Sequence, residues 1–280
     1  MSNLSAICII FTFIVSLILP LAFLVVYALR HKKQGIWSAW LLGALGFFVP
    51  QILIRFPILT ALSQRPGFAA FSQTHILVYG FSLALTAGLF EVVGRYAVAR
   101  VLKKNLTHRR ALAAGLGHGG IEAIIITGLP YLSNLVLLVM LLTGNLDAQI
   151  AQTTAAGGDV TALLTAKDAL MNTPWVMFLL AGFERLLAMT CHAAMSMLVC
   201  YGVHSRKAAP TIFALAMHVC VDCVASISLM IGKGLSQTAA YTIIYILLTA
   251  FTVLAVVILK TIRARWAAET AQEVPYDSQA

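Results

Sequence analysis

Seven apolar runs, each at least as long as a bilayer is thick, recur along the chain and leave room for little else. Crossing the hydrocarbon core takes about 20 apolar residues in a helix, and a helix satisfies its own backbone where no water is available. The runs lie near 4–30, 36–60, 72–100, 111–143, 172–204, 208–232 and 236–262, so the predicted fold is an all-α, polytopic, single integral membrane domain over 1–270. Composition agrees, since 60% of residues are hydrophobic and 10% charged, against roughly 25% charged in an average soluble domain.

A net charge of +9 would point a soluble protein toward nucleic acid; here the basic residues have to be read by position. Alternate gaps between runs hold Arg30, Lys32 and Lys33, then Arg100, Lys103, Lys104, Arg109 and Arg110, then Arg206 and Lys207, then Lys260, Arg263 and Arg265. The opposite gaps hold Arg65, Lys167 and Lys233. That asymmetry predicts an N-out, C-in orientation in a cell membrane. The expected partner on this ground is the lipid bilayer, with no nucleic acid.

The first run lacks a basic n-region and an A-x-A site and is followed by RHKK, so it reads as an uncleaved span. Pro130 is expected to kink the fourth run or to end it early, with a tilted helix as the equal alternative for so long a run. Residues 144–171 form the one long polar connection, an extracytoplasmic loop with a short amphipathic helix, for which a lid is the less favoured reading. Residues 271–280 form a polar C-terminal tail. All five cysteines lie in apolar runs and do not form a disulfide framework; Cys220 and Cys223 make a C-x-x-C best read as small packing residues.

Charges sit where they are costly. Glu91, Glu122, Glu184 and Asp222 fall inside the runs, as do His118, His192, His218, Arg95 and Arg185. Each costs at least about 2.5 to 3.5 kcal/mol at bilayer depth, so such groups face a protein interior or wet cavity and carry function. Counted from the basic ends at 1.5 Å per residue, Glu91 lies roughly 13 Å deep, Glu122 about 17 Å, His192 roughly 18 Å, and His218 and Asp222 about 15 and 21 Å. One layer therefore receives ionisable groups from four helices. His118 with Glu122, His218 with Asp222, and Glu91 with Arg95 are i,i+4 pairs, and Glu184 with His192 are i,i+8, so the polar groups of each helix share a face.

Three histidines and several carboxylates at one depth suit a Zn2+-like ion, whose catalytic sites keep one position for water beside three protein ligands. Such an ion lowers the pKa of its water, and a neighbouring carboxylate takes the proton. The same positions also suit a proton- or cation-coupled transporter using the buried groups as a relay. The internal repeats common in transporters are not visible. A haem held between two histidines would leave the four acidic residues without a role.

These residues resemble a known family. Phe90-Glu91-x-x-x-Arg95, Gly117-His118-Gly119-Gly120-x-Glu122-Ala123, the stretch from Glu184-Arg185 to His192, and His218-x-x-x-Asp222 occur in the order found in the YhfC family of intramembrane metalloproteases. That family resembles the larger group of CAAX prenyl endopeptidases, Abi proteins and PrsW-like proteases, and the resemblance implies a membrane-bound protein or peptide as substrate and a bacterial inner membrane as the location. The resemblance covers about 85–230 and implies Glu91 as base or water-positioning group with Arg95 as its ion partner. It further implies His192 and His218 as holders of the metal or the water, Asp222 as an orienting group or ligand, and His118 and Glu122 as added ligands. The doubled glutamate of the larger group is missing, because Phe90 and Val92 flank Glu91, which leaves Glu122 and Glu184 as alternatives for the base. Gly115, Gly117, Gly119 and Gly120 serve either helix packing or the approach of an extended substrate.

Overall fold

The computed structural model describes residues 2–272, so residues 273–280 of the expected polar tail lie outside the described residues. Seven helices are long and apolar enough to cross a membrane: Asn3–Arg30, Ile36–Ser63, Ile76–Asn105, His108–Leu142, Trp175–Ser205, Ala209–Met230 and Gln237–Glu269. These are called spans one to seven below. The third span starts later than its apolar run, because Pro66–Thr74 forms a separate short helix and His75, with φ −116° and ψ 53°, breaks it from Ile76. Large apolar side chains such as Leu77, Val101 and Ile246 are 70%, 68% and 64% exposed, as lipid-facing residues must be.

Three spans contain a π-helical stretch, and each stretch ends two residues before a proline, the second also containing Pro50. Ile14–Ile18 lies before Pro20, Phe48–Arg55 before Pro57, and Ala123–Gly128 before Pro130. A proline inside a helix has no N–H to give and its ring collides with the carbonyl four residues earlier. Those carbonyls belong to Ser16, Leu53 and Ile126, all within the widened stretches. A wider turn moves the carbonyl aside, so Pro130 neither ends the fourth span nor shortens it; the helix continues to Leu142.

The chain divides into two compact units, Met1–Ala22 with Ala123–Leu186, and Phe23–Glu122 with Leu187–Ala280. The first is built on a core of Cys8, Ile9, Leu138, Leu170 and Phe178. In it, Thr12 Oγ1 donates to the Phe178 carbonyl at 2.6 Å. The 144–171 connection holds two helices rather than one, Asn145–Ala155 and Thr161–Asn172. Gly157 turns the chain between them at φ 72°. Asp159 Oδ1 accepts from the Thr161 N–H at 2.8 Å, and the bonds it takes from Thr161 hold its carboxyl below the usual carboxylate range. Lys167 and Asp147 tie the two helices at 2.5 Å, while Leu146 and Leu170 anchor them as buried residues.

The second unit carries the largest core, centred on the later part of the fifth span. Every residue from Cys191 to Val203 is buried. A helix covered on all sides is a central helix, so whatever polar groups it bears must be satisfied by its neighbours.

Candidate metal centre

The second unit brings most of the buried charges together. Glu91 of the third span is 4% exposed, and both its oxygens are occupied. Oε1 accepts from Gln51 Nε2 at 2.6 Å; Oε2 accepts from Arg95 Nη2 at 3.0 Å and His118 Nε2 at 2.9 Å. The Nδ1 atoms of His192 and His218 each lie 3.6 Å from the same Oε2. Around this carboxylate the rings of His118 and His192 stack with centroids 5.4 Å apart, and His218 stands edge-on to His192 at 5.6 Å.

Glycines let short side chains converge like this. A methyl on Gly117 would run into the Trp40 backbone, one on Gly43 into the Ala114 carbonyl, and one on Gly94 into the Gly46 carbonyl. The second span is thereby packed backbone to backbone against the third and the fourth. Gly119 leaves 2.9 Å between its missing methyl and His192 Cβ. The packing reading of the glycine block therefore holds for Gly115, Gly117 and Gly119, whose missing side chains are all replaced by a neighbouring helix.

The hydrogen bonds assign the tautomers. A guanidinium has only donors, so Arg95 Nη2, 2.6 Å from His192 Nδ1, makes that nitrogen an acceptor. The ring proton then lies on Nε2, which stands 2.6 Å from Glu122 Oε2. His218 repeats the pattern: Nδ1 faces Arg95 Nη1 at 3.4 Å and Nε2 faces Asp222 Oδ2 at 3.3 Å. Each histidine thus turns Nδ1 toward Glu91 and Nε2 toward an outer carboxylate, the arrangement that orients metal-binding histidines. Burial grades across the group: side chains of Glu91, His118 and His218 are 5% exposed or less, Glu122 15% and Asp222 33%, so the Asp222 side is the more open.

Ligand atoms of Glu91, His192 and His218 all lie within 4.8 Å of one another. A His2Glu donor set with outer carboxylates is suited to a divalent ion such as Zn2+, so the residues present fit a metal. His118 Nδ1 is buried and has no hydrogen-bond partner among the described residues. A cavity of about 10 Å³, near the size of one water, is lined by Arg95, His118 and Ser196.

The chain matches the family model described as YhfC intramembrane metalloprotease over residues 15–246. It belongs to that family. It is also 30% identical over 238 residues to the uncharacterized membrane protein YhfC of Bacillus subtilis (strain 168), covering 84% of this chain and 88% of that one. No solved structure matches it. A multi-pass membrane location follows for this YhfC family member from the seven spans and from its relatives.

Of the eight site residues expected from the sequence, seven meet in this cluster: Glu91, Arg95, His118, Glu122, His192, His218 and Asp222. Glu184 belongs to the other unit, where its carboxylate pairs with the adjacent Arg185. Three members were not anticipated. Gln51 joins Glu91 to Arg55, whose Nη1 donates to Gln51 Oε1 at 3.2 Å and whose Nη2 donates to the Leu83 carbonyl at 2.7 Å. Ser196 accepts from Arg95 Nε at 3.2 Å. The i,i+4 pair Gln51 and Arg55 within the second apolar run was the available signal for two of them. The C-x-x-C thiols are free, Cys220 exposed and Cys223 half-buried.

Proposed function

We propose that this protein is a metal-dependent intramembrane peptidase that hydrolyses a peptide bond of a membrane-associated protein or peptide. The observation that carries the reading is the convergence of Glu91, His192 and His218 within 4.8 Å, buried inside a seven-span family member. Glu91, His192 and His218 would hold the ion, with zinc the best fit to the donor set. When bound, the ion supplies a water acidic enough to be deprotonated near neutral pH and polarises the scissile carbonyl.

The chain's own residues do the rest. Glu122 and Asp222 fix the ring orientation and tautomer of His192 and His218. Glu122, partly exposed with Oε2 2.6 Å from His192 Nε2, is the candidate base for the attacking water. Gln51 and His118 hold the Glu91 carboxylate in place. Substrate would enter from the Asp222 side, where the cluster is most open.

The experiment pairs metal content with cleavage. Purified wild-type protein should carry near-stoichiometric metal that is lost in His192→Ala and His218→Ala. Membrane proteomes of cells expressing wild type should contain new N-termini that are absent with Glu91→Gln. Metal-free, well-folded wild type removes the metal from the reading; identical N-termini remove the peptidase.

A further inference from the structure

Successive spans alternate in direction, so the loops after spans one, three and five share one end of the second unit. There they surround a cavity of about 860 Å³ lined by Lys33, His108, Arg109, Arg110, His204 and Trp266, among others, with no carboxylate in its lining. Basic residues that only set topology would extend into water. These instead line one common cleft that is open to solvent, with Lys33 exposed and Arg109 and Arg110 half-buried along its wall.

The guanidiniums are held, yet their charge is not met. Arg109 Nη1 donates to Gln34 Oε1 at 3.2 Å, and Arg110 donates to the Asn105 carbonyl at 3.1 Å and to Ser38 Oγ at 3.4 Å. All three acceptors are neutral, and among the described residues neither arginine nor Lys33 has an ion-pair partner. Arg110 Nε is buried with no acceptor at all. Glu269 lies 3.8 Å from the lining residue His204 and accepts from the Tyr201 hydroxyl at 2.6 Å. Lys33 sits in the left-handed region at φ 67°, a conformation that costs a non-glycine residue energy and that the surrounding turn must impose. Thr107 to Arg110 open the fourth span, so its helix dipole adds positive potential at the same wall. Neighbouring Arg109 and His108 also line a second cavity of about 270 Å³ with Lys260 and Arg263.

We propose that this cavity binds a phosphate-bearing anion, either the headgroup of an anionic lipid or a soluble phosphorylated molecule. Planar guanidiniums presented side by side with free donors are the usual partners of phosphate oxygens. The inference stands independently of the peptidase reading, because it uses none of the residues of the metal centre.

The test uses the full chain in phosphatidylcholine nanodiscs, titrated in separate arms with phosphatidylglycerol and with inorganic phosphate, and read by native mass spectrometry and thermal unfolding. Two double variants are compared: Arg109→Gln with Arg110→Gln in the cavity, and Lys32→Gln with Lys104→Gln, which changes the same charge at the same end outside its lining. One phosphatidylglycerol bound per chain, weakened at least ~10-fold by the arginine pair and little by the lysine pair, supports a lipid headgroup site. Equal sensitivity of inorganic phosphate binding supports a soluble phosphorylated ligand. Equal loss in both variants means diffuse surface attraction and overturns the site, as does the absence of binding in either arm. Should the arginine pair fail to fold, Lys33→Gln replaces it, with the same expectations.

Discussion

Arg95 Nη2 lies 2.6 Å from His192 Nδ1 and 3.0 Å from Glu91 Oε2, so one guanidinium grips two of the three candidate metal ligands while its other arm reaches the third, His218, at 3.4 Å. A permanent cation and a divalent ion therefore share one set of acceptors. Binding the ion requires Arg95 to release those lone pairs. In zinc titrations of metal-stripped protein, Arg95→Gln should bind at least ~10-fold more tightly than wild type. Unchanged or weaker affinity would show that the arginine does not compete.

Outer carboxylates should matter almost as much as ligands. Glu122→Gln keeps an acceptor for His192 Nε2–H but removes the charge behind it. Metal affinity should fall ~10- to 100-fold with circular dichroism unchanged. Wild-type affinity in this variant would argue against the tautomer assigned to His192.

Gln51 serves two buried groups at once, donating to Glu91 and accepting from Arg55. Gln51→Leu fills similar space yet leaves a carboxylate short of a donor and a guanidinium short of an acceptor. Thermal unfolding in detergent should report a loss of ~1 to 3 kcal/mol. A neutral result would mean that the second span can repack around the gap.

Gly117→Ala should be among the least tolerated single-methyl changes, because the methyl would meet the Trp40 backbone rather than a side chain that can rotate away. Gly67 has nothing within 4 Å of its added methyl and provides the matched control. A drop in melting temperature for the first and none for the second is the expected pair of results.

Orientation can be read with membrane-impermeant maleimide in a cysteine-free background. Asp147→Cys should label in intact cells and Lys104→Cys only after lysis, as the distribution of basic residues predicts. The opposite pattern would reverse the N-out assignment.

Much of this was legible in the chain itself. Length and apolarity define the seven spans, and the cost of burying charge singles out Glu91, His118, His192, His218 and their i,i+4 partners as groups that must meet. What hid Gln51 and Ser196 is that an uncharged polar residue in an apolar run is cheap and common, so neither stands out without its neighbour. Arg55 lay near a span end, where basic residues ordinarily reach for the interface. Glu184 falls in the other unit, and its case is different. Its i,i+8 spacing with His192 describes a helix face, but only the three-dimensional division of the fifth span, with Glu184 in one unit and His192 in the other, decides which neighbours that face meets.

Burial of every residue from Cys191 to Val203 has a consequence for biogenesis. This stretch has no side suited to lipid contact in the finished protein, yet a nascent chain delivers its helices to the membrane in order. The fifth span must enter the bilayer with His192 unpartnered by the sixth, waiting for His218 and Asp222 to be synthesised. Completion of the centre is thus tied to late insertion, and a chain truncated before residue 218 would leave the fifth span without the helix that supplies the third candidate ligand.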